Sequence, residues 1–527
     1  MDQVGIRHFL LIFGALFGIC YAVILPPLQA PDEFSHFYRA YGISRGTCVA
    51  PRLTQIPLSI KEMSAAFPFD LDQERRIDPD YVLVFLRKPL SEIRSDGVTN
   101  EAANMYSCLP YLPAAAGIGA ARLLDASPAA LLYLSRFINL IVYLVMVAMA
   151  LRQLPGFQIP LLALAMMPMA LSQAASASWD GMVYGTGFFL CAYILRLAWD
   201  PHIDILQPRH YATLGGAVML AGLCKTDAWL VPLLIIVPAA KFRGARQKWG
   251  VFAGAVLLVL LVIAGWNYVN REDMARWVDH VRDYRQIYLS ENLAFAFQHP
   301  GVMLQTFLRT WSAHGLDFVS QFVGRLGWLT VILPPWTIVA YFFLLGFAAL
   351  TDSGGIRMTT AHRVLCVTVA VIAMGSVFLG MWCAETTRAQ KDAALHGIGY
   401  IAGVQGRYFI PFAFPLLLAI SGRLRVERKW LLAVAAVIIL SVNAVAVAKI
   451  RSTYYVSGDM GPYENKLVRR AGSTPEDGKV FVVRGGTRHW IIFGSWVEKH
   501  GYRWDDLKII PPQEFNAIPE GKVIGEQ

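Results

Sequence analysis

Apolar runs of about twenty residues recur along most of this chain, and each is the length one helix needs to cross a bilayer. The runs lie at 8–25, 129–151, 159–178, 182–199, 211–224, 228–240, 249–269, 328–349, 364–383, 408–421 and 430–449. They predict an all-α polytopic membrane protein of about eleven transmembrane helices. Composition agrees: 56% of residues are hydrophobic and 16% charged, against roughly 25% charged in a soluble domain. The strict alternation of a membrane β-barrel is absent.

The net charge of +10 reports topology more than a nucleic-acid ligand. Basic residues collect in short loops: Arg152, Arg196 with Arg209, Lys241-Arg243-Arg246-Lys248, Arg357 with Arg363, and Arg423-Arg425-Arg428-Lys429. The positive-inside rule makes that side cytoplasmic. The N-terminus is then inside, on an uncleaved first helix, and the C-terminus outside. The expected home is a bacterial cytoplasmic (inner) membrane.

Two long loops, 26–128 and 270–327, and the tail 450–527 share the outer face, so residues 1–449 form the membrane domain. Within them, Leu109–Leu124 reads as a short interfacial helix, and 270–327 as amphipathic interfacial helices. In the tail, Lys479–Arg484, Gly485-Gly486 and Thr487–Ile492 read as strand, turn and strand, predicting a small extracytoplasmic α/β cap. Of seven cysteines, none has metal-like CxxC spacing. Cys48 and Cys108 both fall in the first polar loop, where an oxidising compartment would permit a disulfide.

Polar residues in apolar surroundings are functional hypotheses. The acidic pair Asp32-Glu33 follows the Pro26-Pro27 that ends the first apolar run, and aromatics then recur at helical spacing in Phe34-Ser35-His36-Phe37-Tyr38-Arg39. The pair reads as a catalytic edge facing a lipid-borne substrate, or as a solvated loop. Lys225-Thr226-Asp227 forms the tip of a short hairpin, lining a watery cavity or neutralising itself. Asp180 follows a run of small residues and is either a site residue or a helix N-cap. In Gly403-Val404-Gln405-Gly406-Arg407-Tyr408-Phe409, the glycines permit a tight turn or close approach. Arg407 offers a planar fork of donors suited to phosphate, or snorkels to headgroups. Arg136, inside the second span, is expected to pair with an acid or a carbonyl in a structural role.

These motifs carry a resemblance. Pro31-Asp32-Glu33-x-x-His36-Phe37, Ser176-x-Ser178-x-Asp180, Lys225 and the Gly403–Pro411 string resemble the bacterial membrane family catalogued as domain of unknown function 2142, placed with the GT-C superfamily of polytopic glycosyltransferases. The likeness covers residues 8–449. It implies a GT-C-like fold, with Leu109–Leu124, including Tyr111, similar to a juxtamembrane helix. It also implies transfer of a sugar from a polyprenyl phosphate to an extracytoplasmic glycan or lipid acceptor, with a carboxylate of the first outer loop as base. Thr226-Asp227 departs from the expected pattern and leaves the role of Asp227 open.

Such chemistry needs a base for the acceptor hydroxyl and positive charge for the leaving phosphate. Asp32 is the expected base, with Glu33 as runner-up or orienting partner. Arg407 and Lys225 are the expected phosphate contacts, with Gln405 and Tyr408 beside them. One carboxylate serving as base for a single displacement predicts inversion. His36 lies a helical turn from the pair and would hydrogen-bond the base or help hold a divalent metal such as Mg or Mn; no cofactor is otherwise required. Arg39, Tyr111, Asp180 and Asp227 complete the supporting set. The alternatives are a transporter or flippase for a lipid-linked saccharide, an enzyme moving a non-sugar group or whole glycan, and a non-catalytic export or assembly subunit.

Overall fold

The computed structural model describes residues 3–49, 55–67, 77, 79–90, 103, 106–352, 354–422, 424, 426–455, 461–521 and 523–524. Six helices among them are long and apolar enough to cross a membrane: Val4–Ile24, Pro128–Gln153, Asp180–Trp199, Ala245–Val269, Thr360–Glu385 and Arg428–Tyr454. Asp227–Ile236, Pro335–Thr351 and Gly406–Ala419 are apolar but shorter. Eleven full spans are therefore not what the helix lengths give.

The run at 159–178 shows why. It is two helices, Gln158–Ala165 and Pro168–Ala174, because Pro168 has no N–H to continue a helix and instead starts a new one. A break inside a membrane must have its freed carbonyls satisfied by neighbours. The Tyr143 hydroxyl donates to the Ala165 carbonyl at 2.8 Å, and that of Tyr341 to Ala163 at 2.9 Å. Asn443 Nδ2 donates to the Met166 carbonyl at 2.9 Å.

The predicted short hairpin is present. Helix Pro208–Leu223 turns into a 3-10 helix, Lys225–Ile236, and the Leu206 amide donates to the Lys241 carbonyl at 2.8 Å, so both flanks end together. That end also gathers basic residues. Lys241 Nζ donates to the Asp200 carbonyl at 3.0 Å, Arg428 to Gln158 at 2.8 Å, and Arg196 to Gln153. Asp180 and Arg196 sit at opposite ends of one 20-residue helix, which is about 30 Å long. The basic end and the Asp180 end are thus separated by a bilayer's thickness.

At the Asp180 end lie the helices Glu33–Ser44 and Leu112–Leu123 and, as expected of the second loop, Arg271–Arg285, Leu289–Gln298 and Pro300–Gly324. Cys48 and Cys108 form a disulfide across 60 residues. Closing a loop of that length removes about 4 kcal/mol of unfolded-chain entropy. Cys48→Ser is expected to abolish the electrophoretic shift that a reductant produces in the wild type and to lower the midpoint of thermal unfolding in detergent.

The tail carries a four-stranded sheet in the order Thr487–Trp490, Val480–Arg484, Leu467–Arg470, Lys508–Ile510. The first two pairings are antiparallel and the last parallel. The predicted hairpin closes where read, with Gly485 and Gly486 at φ of 60° and 75°. Alternation along the strands sends Leu467 and Val482 to one face and Val468, Phe481 and Val483 to the other.

Candidate functional site

Asp32 is set by its backbone before its side chain. It occupies the left-handed region at φ 59°, as does Leu28 at φ 63°, so the chain after Pro26-Pro27 folds back sharply. The Leu28 carbonyl accepts from Trp328 Nε1 at 3.1 Å, which fixes this bend. Asp32 stands at the N-cap of helix Glu33–Ser44, yet its side chain makes no capping bond. Its carboxylate is free to point elsewhere.

It points at Arg407. Arg407 Nη2 donates to Asp32 Oδ2 at 2.7 Å, and Nη1 to Asp180 Oδ2 at 2.9 Å. Nη1 also donates to Gln173 Oε1 at 3.0 Å, and Nε to Gln405 Oε1 at 2.8 Å. Tyr408 places its ring 5.2 Å from the guanidinium carbon, and the Tyr184 hydroxyl donates to the Arg407 carbonyl. Exposure is graded across the cluster. The Arg407 side chain is 3% exposed, Asp180 11% and Asp32 45%. One carboxylate faces the open side while a buried cation holds it from behind. These bonds take four of the five guanidinium N–H donors, leaving Arg407 one at most for a phosphate.

The route to Arg407 explains the glycines before it. Gly403 turns the chain at φ 77°. A Cβ on Gly406 would stand 2.0 Å from the Phe318 carbonyl oxygen, so only glycine lets this segment lie against helix Pro300–Gly324. There the Gly406 amide donates to Gln321 Oε1 at 2.8 Å.

Asp180 reaches the cluster because helix Pro168–Ala174 ends short of it. The non-helical stretch Ala175–Trp179 is held by buried side chains. Asn139 Nδ2 donates to the carbonyls of Ser176 and Ser178 at 2.7 and 2.9 Å, and the Ala177 amide donates to Glu33 Oε1 at 2.9 Å. Asp180 is the first residue of the next helix, with Trp179 as its N-cap. Its carboxylate binds Arg407; the N-cap alternative is not the arrangement found.

Glu33 goes the other way from its neighbour. Its side chain and that of Arg136 are both wholly buried. Arg136 donates Nε to Oε1 at 2.8 Å and Nη2 to Oε2 at 2.6 Å. Its remaining donors go to the carbonyls of Ala22, Leu25 and Pro26 at 2.7–2.9 Å. The reading of Glu33 as runner-up base has no geometric support: both its oxygens are occupied and solvent is excluded. Arg136 holds the role read for it, paired with an acid and with carbonyls.

The supporting residues divide. His36 Nδ1 lies 2.8 Å from the Tyr111 hydroxyl, and burial lowers its pKa against the opposing pull of Asp32 and Asp180. It is a neutral partner of Tyr111. Among the described residues, no group of three or more His, Cys, Asp or Glu side chains is placed to hold a metal ion, and the carboxylates of Asp32 and Asp180 are compensated by Arg407. Arg39 Nη2 donates to the Cys48 carbonyl at 2.6 Å and braces the disulfide. Asp227 does not join the cluster. It is fully buried, with Oδ1 facing Gly187, seven residues and so about 10 Å along the helix from Asp180. The side chain of Lys225 lies outside the described residues.

An aromatic wall was not singled out from sequence. Trp179 stacks parallel to Tyr111 at 6.0 Å, lies 6.3 Å from His36, and meets Tyr106 at 4.1 Å between ring centroids. Burial, then the charges of Asp32 and Asp180, push the Tyr106 hydroxyl up to about 12, so it remains a proton donor. Trp179 could have been found by its place beside Asp180; Tyr106 carried no signal of its own.

The chain matches the family described as predicted membrane protein (DUF2142) over residues 13–417. No curated protein and no solved structure shows a match. The family match covers well over half of the chain and encloses Asp32, Asp180 and Arg407, so the chain belongs to the DUF2142 family of predicted membrane proteins.

Proposed function

We propose that this protein is an inverting glycosyltransferase of GT-C type, moving a sugar from a polyprenyl phosphate to a glycan or lipid acceptor on the extracytoplasmic face of a bacterial inner membrane. The observation that carries this reading is Asp32: a half-exposed carboxylate, clamped by a buried arginine, beside an aromatic wall at the membrane edge. In the reaction, Asp32 takes the proton of the acceptor hydroxyl. That oxygen bonds to the anomeric carbon, the bond from this carbon to the phosphate oxygen breaks, and polyprenyl phosphate leaves with the electron pair. A phosphate monoester has its second pKa near about 6 and departs without a strong acid.

Asp180 is tied to Arg407 and nearly buried. It therefore serves the clamp, and the single displacement inverts the sugar. Arg407 acts first as a positioning residue, with at most one donor left for the leaving group. The basic end of the bundle, opposite the site, supports an extracytoplasmic placement.

The test separates transferase from flippase. The full chain is reconstituted in liposomes with a panel of radiolabelled polyprenyl-phosphate sugars and envelope glycan as acceptor. The expected result is release of free polyprenyl phosphate with label in the acceptor. Movement of intact lipid-linked sugar across the bilayer without bond cleavage would replace this reading with transport.

A further inference from the structure

A second feature touches the same aromatic wall. A cleft of about 230 Å³ opens between Tyr106 and Ser107 on one side and Gly222, Leu223, Ile263 and Trp266 on the other. Asn267 and Met274 also line it, and among the described residues no charged side chain does. The other cavity of note, at Glu291, Arg388, Lys391 and Asp392, is charged. An uncharged cleft favours an apolar occupant, since a charged or poorly hydrogen-bonded one loses hydration without compensation.

The position of the cleft says where that occupant comes from. Ile263 and Trp266 belong to helix Ala245–Val269, the most poorly covered of the candidate spans, with 11% of its apolar window buried. Its flanks are uncovered by the rest of the chain, as those of a lipid-facing span would be, and the cleft lies where its last turns meet the end of helix Pro208–Leu223. On the inner side, the Tyr106 ring separates the cleft from Trp179, which directly precedes Asp180. Tyr106 thus joins the cleft to the carboxylate cluster, since its ring meets Trp179 and its hydroxyl feels the charges of Asp32 and Asp180.

The Tyr106 wall is braced from two directions. Cys108 is joined to Cys48, whose carbonyl accepts from Arg39, a residue of the helix that Asp32 begins. Ser107 Oγ accepts from the Leu109 amide at 3.2 Å. The strut thus links the wall of the cleft to the helix that presents the base.

We propose that this cleft is the side entrance from the membrane for the prenyl tail of the lipid substrate, and that the Cys48–Cys108 strut fixes its Tyr106 wall relative to Asp32. This rests on the transferase reading above for the identity of the lipid, and names the part of the molecule that admits it. The tail lies between Tyr106 and Leu223, so that the phosphate comes to rest on the Trp179 side of Tyr106.

The test uses the full chain in phosphatidylcholine nanodiscs and a farnesyl phosphate carrying a diazirine on its tail. Irradiation is expected to label peptides containing Leu223 or Ile263–Trp266. Excess undecaprenyl phosphate should remove the label, and excess phosphatidylglycerol should not. Leu223→Trp and Ile263→Trp place an indole in the cleft and should each cut labelling by about tenfold. Ile263→Trp sits on a lipid-facing helix and keeps the test valid if the first variant fails to fold. Cys48→Ser should raise the probe concentration for half-maximal labelling. Label spread evenly over lipid-facing helices, equal competition by phosphatidylglycerol, or unchanged labelling in both tryptophan variants overturns the proposal. Asp32→Asn should keep the label while losing transfer. Label in the cleft without any sugar transfer by the wild type would sink the transferase reading alone; transfer without label there would sink the cleft alone.

Discussion

Asp32→Asn is expected, under the transfer reaction proposed above, to lower the rate of polyprenyl phosphate release by a factor of about 10²–10⁴, the range a positioned general base contributes. The substitution isolates the chemistry because it disturbs little else. Asn is isosteric with Asp, and it is among the side chains best suited to the left-handed region in which residue 32 lies at φ 59°. Its amide oxygen still accepts from Arg407 Nη2. Since Asp32 makes no helix-capping bond, the helix Glu33–Ser44 loses none. Membrane yield and the size-exclusion profile should therefore match the wild type. Asp180→Asn should cost less, because Asp180 acts through Arg407, and the fall should track a displaced Asp32 rather than a missing base. An Asp32→Asn variant with initial rates close to the wild type would remove Asp32 from the proposed mechanism.

What the sequence could and could not show divides along physical lines. Charges embedded in apolar runs announce themselves, and Asp32, Arg407 and Arg136 were legible for that reason. So was the tail hairpin, since Gly485-Gly486 is local turn chemistry. Asp32 and Glu33 could not be told apart. They are adjacent, and their opposite fates depend on a left-handed backbone at one and on Arg136, which arrives at the other from 103 residues away. Periodicity merged Gln158–Ala165 and Pro168–Ala174 into one span, although Pro168 marked the break. Asp227 read as a cavity residue because a hairpin tip is normally wet; packing against Gly187 seals it instead. Tyr106 was silent because its place at Trp179 lies in a non-helical segment next to the disulfide at Cys108, with no periodic pattern to mark it.

Removing Arg136 should unfold the site rather than slow it. Arg136 and Glu33 are both fully buried, and breaking such a pair from one side strands the other charge, at a cost of about 3–5 kcal/mol. Here the loss is wider than one ion pair. Arg136 holds the carbonyls of Ala22, Leu25 and Pro26 at the end of the first helix, and Glu33 holds the Ala177 amide of the unwound stretch before Asp180. Arg136→Ala should therefore give little folded protein in detergent, with early proteolysis near residues 26–32. Glu33→Gln keeps one acceptor oxygen for Ala177 and should be milder, yet it leaves the guanidinium buried without its counter-charge. The double change Glu33→Leu with Arg136→Met is the informative one. An isolated buried pair replaced by apolar side chains of similar volume often costs nothing. In this protein the carbonyls of Ala22 and Leu25 and the amides of Ala30 and Ala177 would lose their side-chain partners in an apolar interior, each at about 1–3 kcal/mol. The double variant should consequently stay well below the wild type in thermal midpoint, though above Arg136→Ala. Wild-type stability in the double variant would show that the pair is an independent salt bridge and not the joint between the first helix and the segment that delivers Asp180.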